Sequence, residues 1–159
     1  MEIRIGNGFD VHKFVDAKIL RLCGVDIEFD KGLIGHSDAD VVLHALTDAI
    51  LGALGKGDIG TWFPPSDNKW KNADSKIFLE FANNAINESL LKISNIDITI
   101  ICEKPKIQEY SMAMKNKLSS ILMIETSQIN IKGTTTEKLG FTGREEGIAC
   151  LCSVLLRQK

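Results

Sequence analysis

No stretch of this sequence is apolar over the roughly 20 consecutive residues that a membrane-spanning helix requires. An excess of charge of one sign is also missing, since 19 Lys and Arg stand against 21 Asp and Glu in 159 residues. The basic residues do not form the long stripe that is typical of nucleic-acid-binding domains. We therefore expect neither a membrane nor a nucleic acid as partner, and a few local side chains must hold any anionic ligand.

Histidine is scarce, and cysteine lacks a metal-binding or redox pattern. The three histidines, His12, His36 and His44, all fall in the first third of the chain. The four cysteines are Cys23, Cys102, Cys150 and Cys152. They have neither zinc-knuckle nor thioredoxin spacing, so we expect buried thiols in a reducing compartment. The N-terminus has no signal-peptide or transit-peptide pattern, which predicts the bacterial cytoplasm, or the plastid stroma if a transit peptide has been removed.

Hydrophobic periodicity predicts one α+β domain over residues 1–159. Strands are expected at 2–12, 19–29 (as a hairpin), 95–102, 129–136 and 148–156, and helices at 37–54, 76–92 and 110–123. This order favours a mixed sheet of four to five strands with helices packed on one face. The last strand is almost wholly apolar, so both of its faces should be buried. The other sheet face would be bare unless an oligomer covers it.

The first strand carries two kinds of informative residue. Gly6 and Gly8 indicate either a bulge or a close backbone approach. Asp10 and His12 are two residues apart and therefore point to the same face of the strand. Two side chains of ligand type on one face form half of a metal site.

Residues 35–48 are predicted to be a loop that enters a helix. Ser37 is expected to be the N-cap, and Asp40, three residues later, to support the cap and the helix dipole. Asp40 and His44 are one turn apart and share a helix face. Taken alone, such a group is more often a surface hydrogen-bond cluster than a metal site. The helix N-terminus beside His36 is also a candidate anion site.

A metal site follows if the first strand packs against the start of this helix. Asp10, His12 and His44 then form a set of two histidines and one carboxylate. That set suits Zn²⁺ with an open fourth position. An open position allows the metal to polarise a phosphoryl or carbonyl oxygen.

Two further segments have both a structural and a functional interpretation. The run Gly133–Lys138 offers three Thr hydroxyls that can wrap a phosphate and a Glu that can hold a hard cation. Alternatively, it is a Thr-rich strand end with a solvated salt bridge. Residues 55–74 form either a lid over a polar ligand or a surface loop that Trp62, Phe63 and Trp70 pin down.

Three segments, in this order, resemble the 2-C-methyl-D-erythritol 2,4-cyclodiphosphate synthase family. They are GNGFDVH at 6–12, GHSDADVVLHALTDAILGALGKGDIGTWFP at 35–64 and TTTEKLGFTGREEGIA at 134–149. The resemblance runs in register from Arg4 to about Leu156. It implies that the protein cyclises 4-diphosphocytidyl-2-C-methyl-D-erythritol 2-phosphate with release of CMP, a step of the non-mevalonate isoprenoid pathway.

The resemblance also implies roles for individual residues. Zn²⁺, or another divalent metal, is expected on Asp10, His12 and His44, and Mg²⁺ or Mn²⁺ on Glu137. The residues expected to act in catalysis are His36, Thr135, Thr136 and Glu137. Those expected to contact the substrate are His36, Ser37, Asp58, Ile59, Gly60, Phe63, Asp67, Cys102, Lys106, Ile107, Thr134, Thr135, Phe141 and Arg144. Cytidine is expected against residues 102–107, and Asp48 should orient the erythritol pocket.

The family is a homotrimer with active sites between subunits, which implies that a trimer buries the other sheet face. Its central apolar cavity can hold an isoprenoid diphosphate and would be partly closed by Phe9, Phe141 and Arg144. The sequence departs from the usual family residues at Asn7, Ala39, Pro65 and Gly133. None of these positions is an expected metal ligand.

Two other functions would use the same residues. A metal-dependent phosphohydrolase would use water as the nucleophile, and its linear product distinguishes it from a cyclising enzyme. A non-catalytic zinc-containing protein that binds isoprenoid or nucleotide diphosphates would show tight binding without turnover. Two metal sites argue against this second alternative, because binding alone would not need both.

Overall fold

Residues 2–159, described in a computed structural model, contain seven strands, five α-helices and three short 3₁₀ helices. The strands are β1 (Ile3–Asp16), β2 (Ile19–Leu22), β3 (Val25–Glu28), β4 (Lys31–Ile34), β5 (Leu91–Ile101), β6 (Ile129–Thr134) and β7 (Gly147–Gln158). The helices are α1 (Val41–Ala53), α2 (Ile59–Trp62), α3 (Lys76–Asn87), α4 (Ser111–Leu122) and α5 (Gly140–Gly143). None of the helices in this range is long and apolar enough to cross a membrane.

Five strands form one mixed sheet in the order β4-β1-β7-β5-β6, while β2 and β3 form a separate hairpin. β1 runs antiparallel to β4 and β7, β7 antiparallel to β5, and β5 parallel to β6. Helices α1, α3 and α4 pack on one face and share a continuous apolar core with it. The predicted α+β class, the mixed sheet and the one-sided placement of the helices are confirmed.

Helix α1 lies directly on β1 because two glycines leave room for its backbone. A Cβ at Gly6 would lie 1.9 Å from the carbonyl oxygen of Ala49, and one at Gly8 would lie 1.8 Å from that of Ala45. Both distances are too short for real atoms, so these positions require glycine. The register of β1 with β7 is unbroken, so the prediction of a close approach is confirmed and the bulge is not present.

The start of α1 differs from the prediction. Asp40 rather than Ser37 is the N-cap, and its carboxylate accepts hydrogen bonds from the backbone N–H groups of Val42 and Leu43. The helix therefore begins later than predicted. The prediction was wrong because the Ser37 hydroxyl is engaged elsewhere, against the ring of His44.

Other boundaries were also predicted wrongly. Residues 31–34, which lie in none of the predicted strands, form β4, because this segment pairs with the last residues of β1. Helix α3 ends at Asn87, well before residue 92, because β5 already begins at Leu91. The short helix α5 lies in none of the predicted helices. Strand pairing between distant segments outweighed the local glycine signal in the first case.

The sheet face opposite the helices is bare in the single chain, and it is apolar along β1 and β7. Ile5 is 68% exposed, Phe9 58% and Leu151 43%. Leu151 belongs to β7, so the prediction that both faces of this strand are buried is wrong for one chain by itself. The inward side chains of β7, such as Cys150 and Cys152, are fully buried, and all four cysteines are buried thiols as predicted.

Candidate metal centre and cleft

Three side chains converge between β1 and α1. His12 Nε2 lies 3.0 Å from His44 Nδ1, and Asp10 Oδ2 lies 3.1 Å from His44 Nδ1 and 3.3 Å from His12 Nε2. The alternation of β1 points Asp10 and His12 inward, and the glycine contact with α1 brings His44 against them. The structure thus assembles the three residues that the spacing had singled out as a possible metal set.

The donor set fits a divalent metal. Tetrahedral zinc with ligand bonds of about 2.0 Å places its ligand atoms about 3.3 Å apart, close to the separations seen here. The pKa of His12 is lowered, chiefly by burial and further by the neighbouring His44, while the Asp10 carboxylate opposes this shift. A lowered pKa keeps the His12 imidazole neutral, so that a ring nitrogen retains the lone pair a metal needs.

The far side of the His44 ring is also held by hydrogen bonds. His44 Nε2 lies 2.8 Å from Ser75 Oγ and 2.9 Å from Ser37 Oγ. Ser75 in turn donates its hydroxyl proton to the carboxylate of Asp38. Sequence analysis missed Ser75 and Asp38 here, because Ser75 has the position of a helix cap for α3. Its side chain makes no capping hydrogen bond, which only the folded chain reveals.

The predicted anion site at the start of α1 is not available. The first turn is fully buried, and the carboxylate and carbonyl of Asp40 already accept its N–H groups. Ser37 is 8% exposed and its hydroxyl faces His44, so its side chain does not line an open pocket. His36 is exposed in the loop before the cap, and it follows Gly35, where a Cβ would lie 3.4 Å from the His12 ring.

The segment 55–74 is tied down at two places. Asp48, on α1, accepts a hydrogen bond of 2.7 Å from the N–H of Ile59, which places the residues around Asp58 and Gly60. This is the positioning contact expected of Asp48. Asp58 itself caps α2 through the N–H and hydroxyl of Thr61.

Aromatic stacking fixes the rest of that segment on α3. The Phe63 ring centroid lies 4.6 Å from that of Phe78, and Trp62 lies 5.0 Å from Phe81. Trp70 completes the cluster against Phe63 at 4.8 Å. The interpretation as a loop pinned by aromatic side chains is confirmed. Asp67 caps the turn at Asn68–Trp70, and its predicted substrate contact, like that of Phe63, stays a prediction.

A cleft of about 390 Å³ opens beyond the carboxyl ends of the parallel strands β5 and β6. Its lining includes the substrate-contact residues predicted for these two strand ends, Cys102, Lys106, Ile107, Thr134 and Thr135. Gly133 also lines the cleft, and a Cβ there would lie 2.9 Å from the Cβ of Ile107. The glycine therefore leaves the Ile107 side chain undisturbed at the cleft wall.

Glu103 organises the turn beside this cleft, and sequence analysis did not identify it. Its Oε1 accepts hydrogen bonds from the N–H groups of Thr136 at 3.2 Å and Lys138 at 3.3 Å. Glu137 and Lys138 adopt left-handed φ angles of 53° and 65°, a backbone form that needs such support. The side chain of Glu137 is left exposed on this turn. The sequence offers no local signal that Glu103, 33 positions before Thr136, holds this turn.

The metal cluster and the cleft lie towards the same end of the sheet. Asp10 pairs with Cys150 of β7, which pairs on its other side with Ile100 of β5. Two strand spacings therefore separate Asp10 from Ile100, a distance of about 10 Å. Glu137 does not join the cluster of Asp10 and the two histidines within the described chain.

Phe141 and Arg144 lie on the α5 segment before β7. Phe141 is 38% exposed and lines a shallow cleft with Val11 and His12. Arg144 is exposed and forms an ion pair with Glu146 at 2.8 Å. Neither Phe141 nor Arg144 is among the residues that line the cleft at the ends of β5 and β6.

The fold and the site define an α+β protein with a two-histidine, one-carboxylate set that could hold a metal at one end of a mixed sheet. The chain belongs to the YgbB family, whose sequence pattern matches residues 3–157.

Comparison with individual proteins agrees with this membership. The chain is 56% identical over 158 residues to the 2-C-methyl-D-erythritol 2,4-cyclodiphosphate synthase of Cereibacter sphaeroides, and the match covers 99% of each chain. The structure of the bifunctional IspDF from Campylobacter jejuni superposes with a TM-score of 0.95 at 47% identity, over 99% of this chain but only 43% of that one. The CDP complex of Plasmodium falciparum IspF superposes with a TM-score of 0.88 at 41% identity, over 99% and 97% of the two chains. The family resemblance predicted from the three sequence segments is confirmed.

Proposed function

We propose that this protein is an enzyme that converts 4-diphosphocytidyl-2-C-methyl-D-erythritol 2-phosphate into 2-C-methyl-D-erythritol 2,4-cyclodiphosphate and CMP. The observation that carries the proposal is the convergence of Asp10, His12 and His44 at the sheet end that also bears the cleft. The full-length similarity to a synthase of this name supports the substrate assignment. The enzyme would then be a phosphorus–oxygen lyase of isoprenoid biosynthesis.

The reaction needs no covalent nucleophile from the protein. An oxygen of the substrate's own 2-phosphate attacks the β-phosphorus, the new P–O bond closes the ring, and the bond to CMP breaks. CMP leaves with the electron pair of that bond. The task of the protein is to hold two anionic groups in line and offset their charge, as in other phosphoryl transfers.

Asp10, His12 and His44 would hold Zn²⁺, and Glu137 would hold Mg²⁺ or Mn²⁺. When bound, these cations supply Lewis-acid stabilisation of the phosphate oxygens. The chain's own residues do the positioning. His36 and the Thr135 hydroxyl would contact the phosphates. The Thr136 hydroxyl donates to the carbonyl oxygen of Leu139 at 2.6 Å, so Thr136 would act by holding the turn.

The cleft would bind the cytidine nucleotide. The CDP complex of Plasmodium falciparum IspF supports a cytidine ligand for this fold. Cys102 and Ile107 give the cleft an apolar wall, Lys106 supplies a positive charge for the diphosphate, and Thr134 and Thr135 supply hydroxyl donors. The erythritol would lie near Asp58, Ile59 and Gly60, where Asp48 fixes the backbone.

We also propose that three copies of the chain assemble through the bare sheet face and that the active sites lie between subunits. The exposed apolar residues of β1 and β7 support an interface, because such a face is costly to leave in water. The distance of Glu137 from the metal cluster in one chain agrees with a shared site. The central cavity would hold an isoprenoid diphosphate between apolar walls and Arg144.

A product assay tests the function directly. The purified protein is incubated with the full substrate, Zn²⁺ and Mg²⁺, and the products are followed by ³¹P NMR. We expect one CMP per cyclic diphosphate. A linear product would instead identify a phosphohydrolase, and tight binding without CMP release would identify a binding protein.

His44→Ala separates the metal site from the fold. Because His44 supplies one of the three converging donor atoms, the variant should lose bound zinc and activity while it keeps its oligomeric state. His36→Ala, outside the ligand cluster, is the matched control and should lose activity but keep its zinc. An active His44→Ala variant without zinc would contradict the proposed ligand set.

A further inference from the structure

The side of His44 that faces away from Asp10 and His12 is enclosed by hydroxyl groups. His44 Nε2 has two neighbours, Ser75 Oγ at 2.8 Å and Ser37 Oγ at 2.9 Å. Ser75 is fully buried and Ser37 is 8% exposed, so bulk water does not compete for these contacts. The two hydroxyls lie 3.2 Å from one another. The direction of the hydrogen bonds among these atoms decides which nitrogen of His44 carries the proton.

The carboxylate of Asp38 sets that direction. An ionised carboxylate only accepts hydrogen bonds, so the one hydroxyl proton of Ser75 must point to Asp38 Oδ1. The same oxygen also accepts from the N–H of Asp40 at 3.4 Å. Arg21 Nη1 lies 3.6 Å from the other carboxylate oxygen, Asp38 Oδ2, and its positive charge stabilises the carboxylate. Ser75 Oγ can therefore only accept from His44 and from Ser37.

The Ser75 acceptor therefore favours the proton of the neutral ring on His44 Nε2, against the Asp10 carboxylate, which would accept a proton held on Nδ1. His44 Nδ1 keeps its lone pair, and this is the atom that lies 3.0 Å from His12 Nε2 and 3.1 Å from Asp10 Oδ2. The opposite tautomer would put a proton between the three donor atoms, where it would block a metal. Residues that orient a metal-binding histidine through its second nitrogen typically change metal affinity by about 10- to 100-fold.

We infer that Asp38 and Ser75 are positioning residues that fix His44 as its Nε2–H tautomer and so prepare Nδ1 for the metal. The inference rests on the metal centre of the proposed function. Ser37 is a neighbour that does not set the direction, because its hydroxyl can donate to Ser75 or accept from His44 equally well. In the absence of Ser75, Ser37 would be free to donate to His44 Nε2 and favour the wrong tautomer.

The test uses the full chain with Ser75→Ala, and Ser37→Ala as the matched control. The tautomer of His44 is read in the metal-free protein from long-range ¹H–¹⁵N NMR couplings, at a pH well above the ordinary pKa of histidine. Zinc affinity is measured separately by competition with a chromophoric chelator. We expect Nε2–H in the wild type and in Ser37→Ala, and a mixed or Nδ1–H population in Ser75→Ala. Ser75→Ala should bind zinc about 10- to 100-fold more weakly, while Ser37→Ala keeps the wild-type affinity.

A second variant covers the case in which Ser75→Ala does not fold. Asp38→Ala removes the acceptor at a partly exposed position, and the Ser75 hydroxyl is then free to turn its proton towards His44 Nε2. This variant should show the Nδ1–H tautomer. If either folded variant keeps the Nε2–H tautomer and wild-type zinc affinity, the inference is overturned. If His44→Ala binds zinc as tightly as the wild type, the proposed metal centre fails instead, and the tautomer measurement still stands by itself.

Discussion

At the residue scale, one buried carboxylate joins the helix that carries His44 to the hairpin β2–β3. Asp40 is fully buried, and besides the first turn of α1 it accepts hydrogen bonds from the N–H groups of Cys23 at 3.0 Å and Gly24 at 2.6 Å. Burial raises its pKa from 3.8 to about 6, although the N–H donors oppose the shift. Asp40 thus links the first turn of α1 to the β2–β3 hairpin, and its burial makes the ionised carboxylate costly.

The raised pKa of Asp40 predicts a pH dependence of stability. Because the folded-state pKa exceeds the unfolded value, the native chain binds the proton more tightly, and the resulting stabilisation is complete below about pH 4. This stabilisation is lost as the pH rises through about 6. The shift from 3.8 to about 6, at 1.36 kcal/mol per pKa unit, corresponds to about 3 kcal/mol. Urea unfolding between pH 4 and 7 measures it. The stability of the wild type relative to Asp40→Asn should fall as the pH rises, and a difference that does not change with pH would contradict the prediction.

Glu103 is the second residue whose role comes from distant contacts. Glu103→Ala removes the acceptor for the N–H groups of Thr136 and Lys138 and should loosen the strained turn beside the cleft. At about 1–2 kcal/mol for such hydrogen bonds, we expect CDP affinity to fall roughly 10-fold by calorimetry. Glu28→Ala, on the exposed strand β3, is the control and should bind CDP normally. Equal CDP affinity for Glu103→Ala and the wild type would refute the role of the turn.

At the element scale, the candidate metal centre depends on how closely α1 approaches β1. Neither element alone holds all three converging side chains, since His44 belongs to the helix and Asp10 and His12 belong to the strand. The contact is possible because Gly6 and Gly8 have no Cβ to separate the two backbones. A change in this packing distance should therefore disturb both stability and metal binding.

Gly8→Ala tests this dependence. The added Cβ would lie 1.8 Å from the carbonyl oxygen of Ala45, so the helix must shift, at a cost of about 3 kcal/mol or more. Thermal unfolding and zinc affinity should both fall. Gly52→Ala, also on the α1–β1 contact, is the control, because its Cβ would lie 3.9 Å from the Asn7 carbonyl oxygen. That substitution should raise stability by up to about 1 kcal/mol, since alanine is the better helix former. A Gly8→Ala chain as stable as the wild type would show that the close approach is not required.

At the scale of the whole molecule, helices cover only one face of the sheet. The other face is apolar along β1 and β7 and carries the exposed polar residues Asp97, Asn130 and Lys132 on β5 and β6. The covered face contains the core, and the bare face exposes Ile3, Ile5, Phe9 and Leu151. Only Asn7 and Ser153, hydrogen-bonded at 2.8 Å, introduce a polar pair across β1 and β7. This composition is typical of an interface between subunits.

Ile5→Glu tests the proposed trimer. Ile5 is 68% exposed in the single chain, and a charge at this position would be buried without a partner on assembly. Sedimentation equilibrium should show monomers for this variant and trimers for the wild type. Met123→Glu is the control: Met123 is 84% exposed at the C-terminal end of α4, which packs on the other face of the sheet, so the assembly should persist. A trimeric Ile5→Glu would exclude this face as the interface.

Short-range patterns in the sequence determined much of the protein. The period of two in β1 placed Asp10 and His12 on one face, and apolar periodicity located the main helices and strands. The helix register of His44 then made a two-histidine, one-carboxylate set foreseeable, and three motifs indicated the family. These features are local because strand and helix geometry repeats over a few residues.

The tertiary structure alone decided which side chains support that set. The Ser37 hydroxyl turned from a predicted helix cap to a neighbour of His44, and Ser75 and Glu103 took roles through contacts more than 30 positions away in the chain. Residues 31–34 became a strand only because β1 extends far enough to pair with them. Such choices depend on which hydrogen-bond partner the folded chain brings within reach, and a buried polar group takes that partner rather than the one its local sequence suggests.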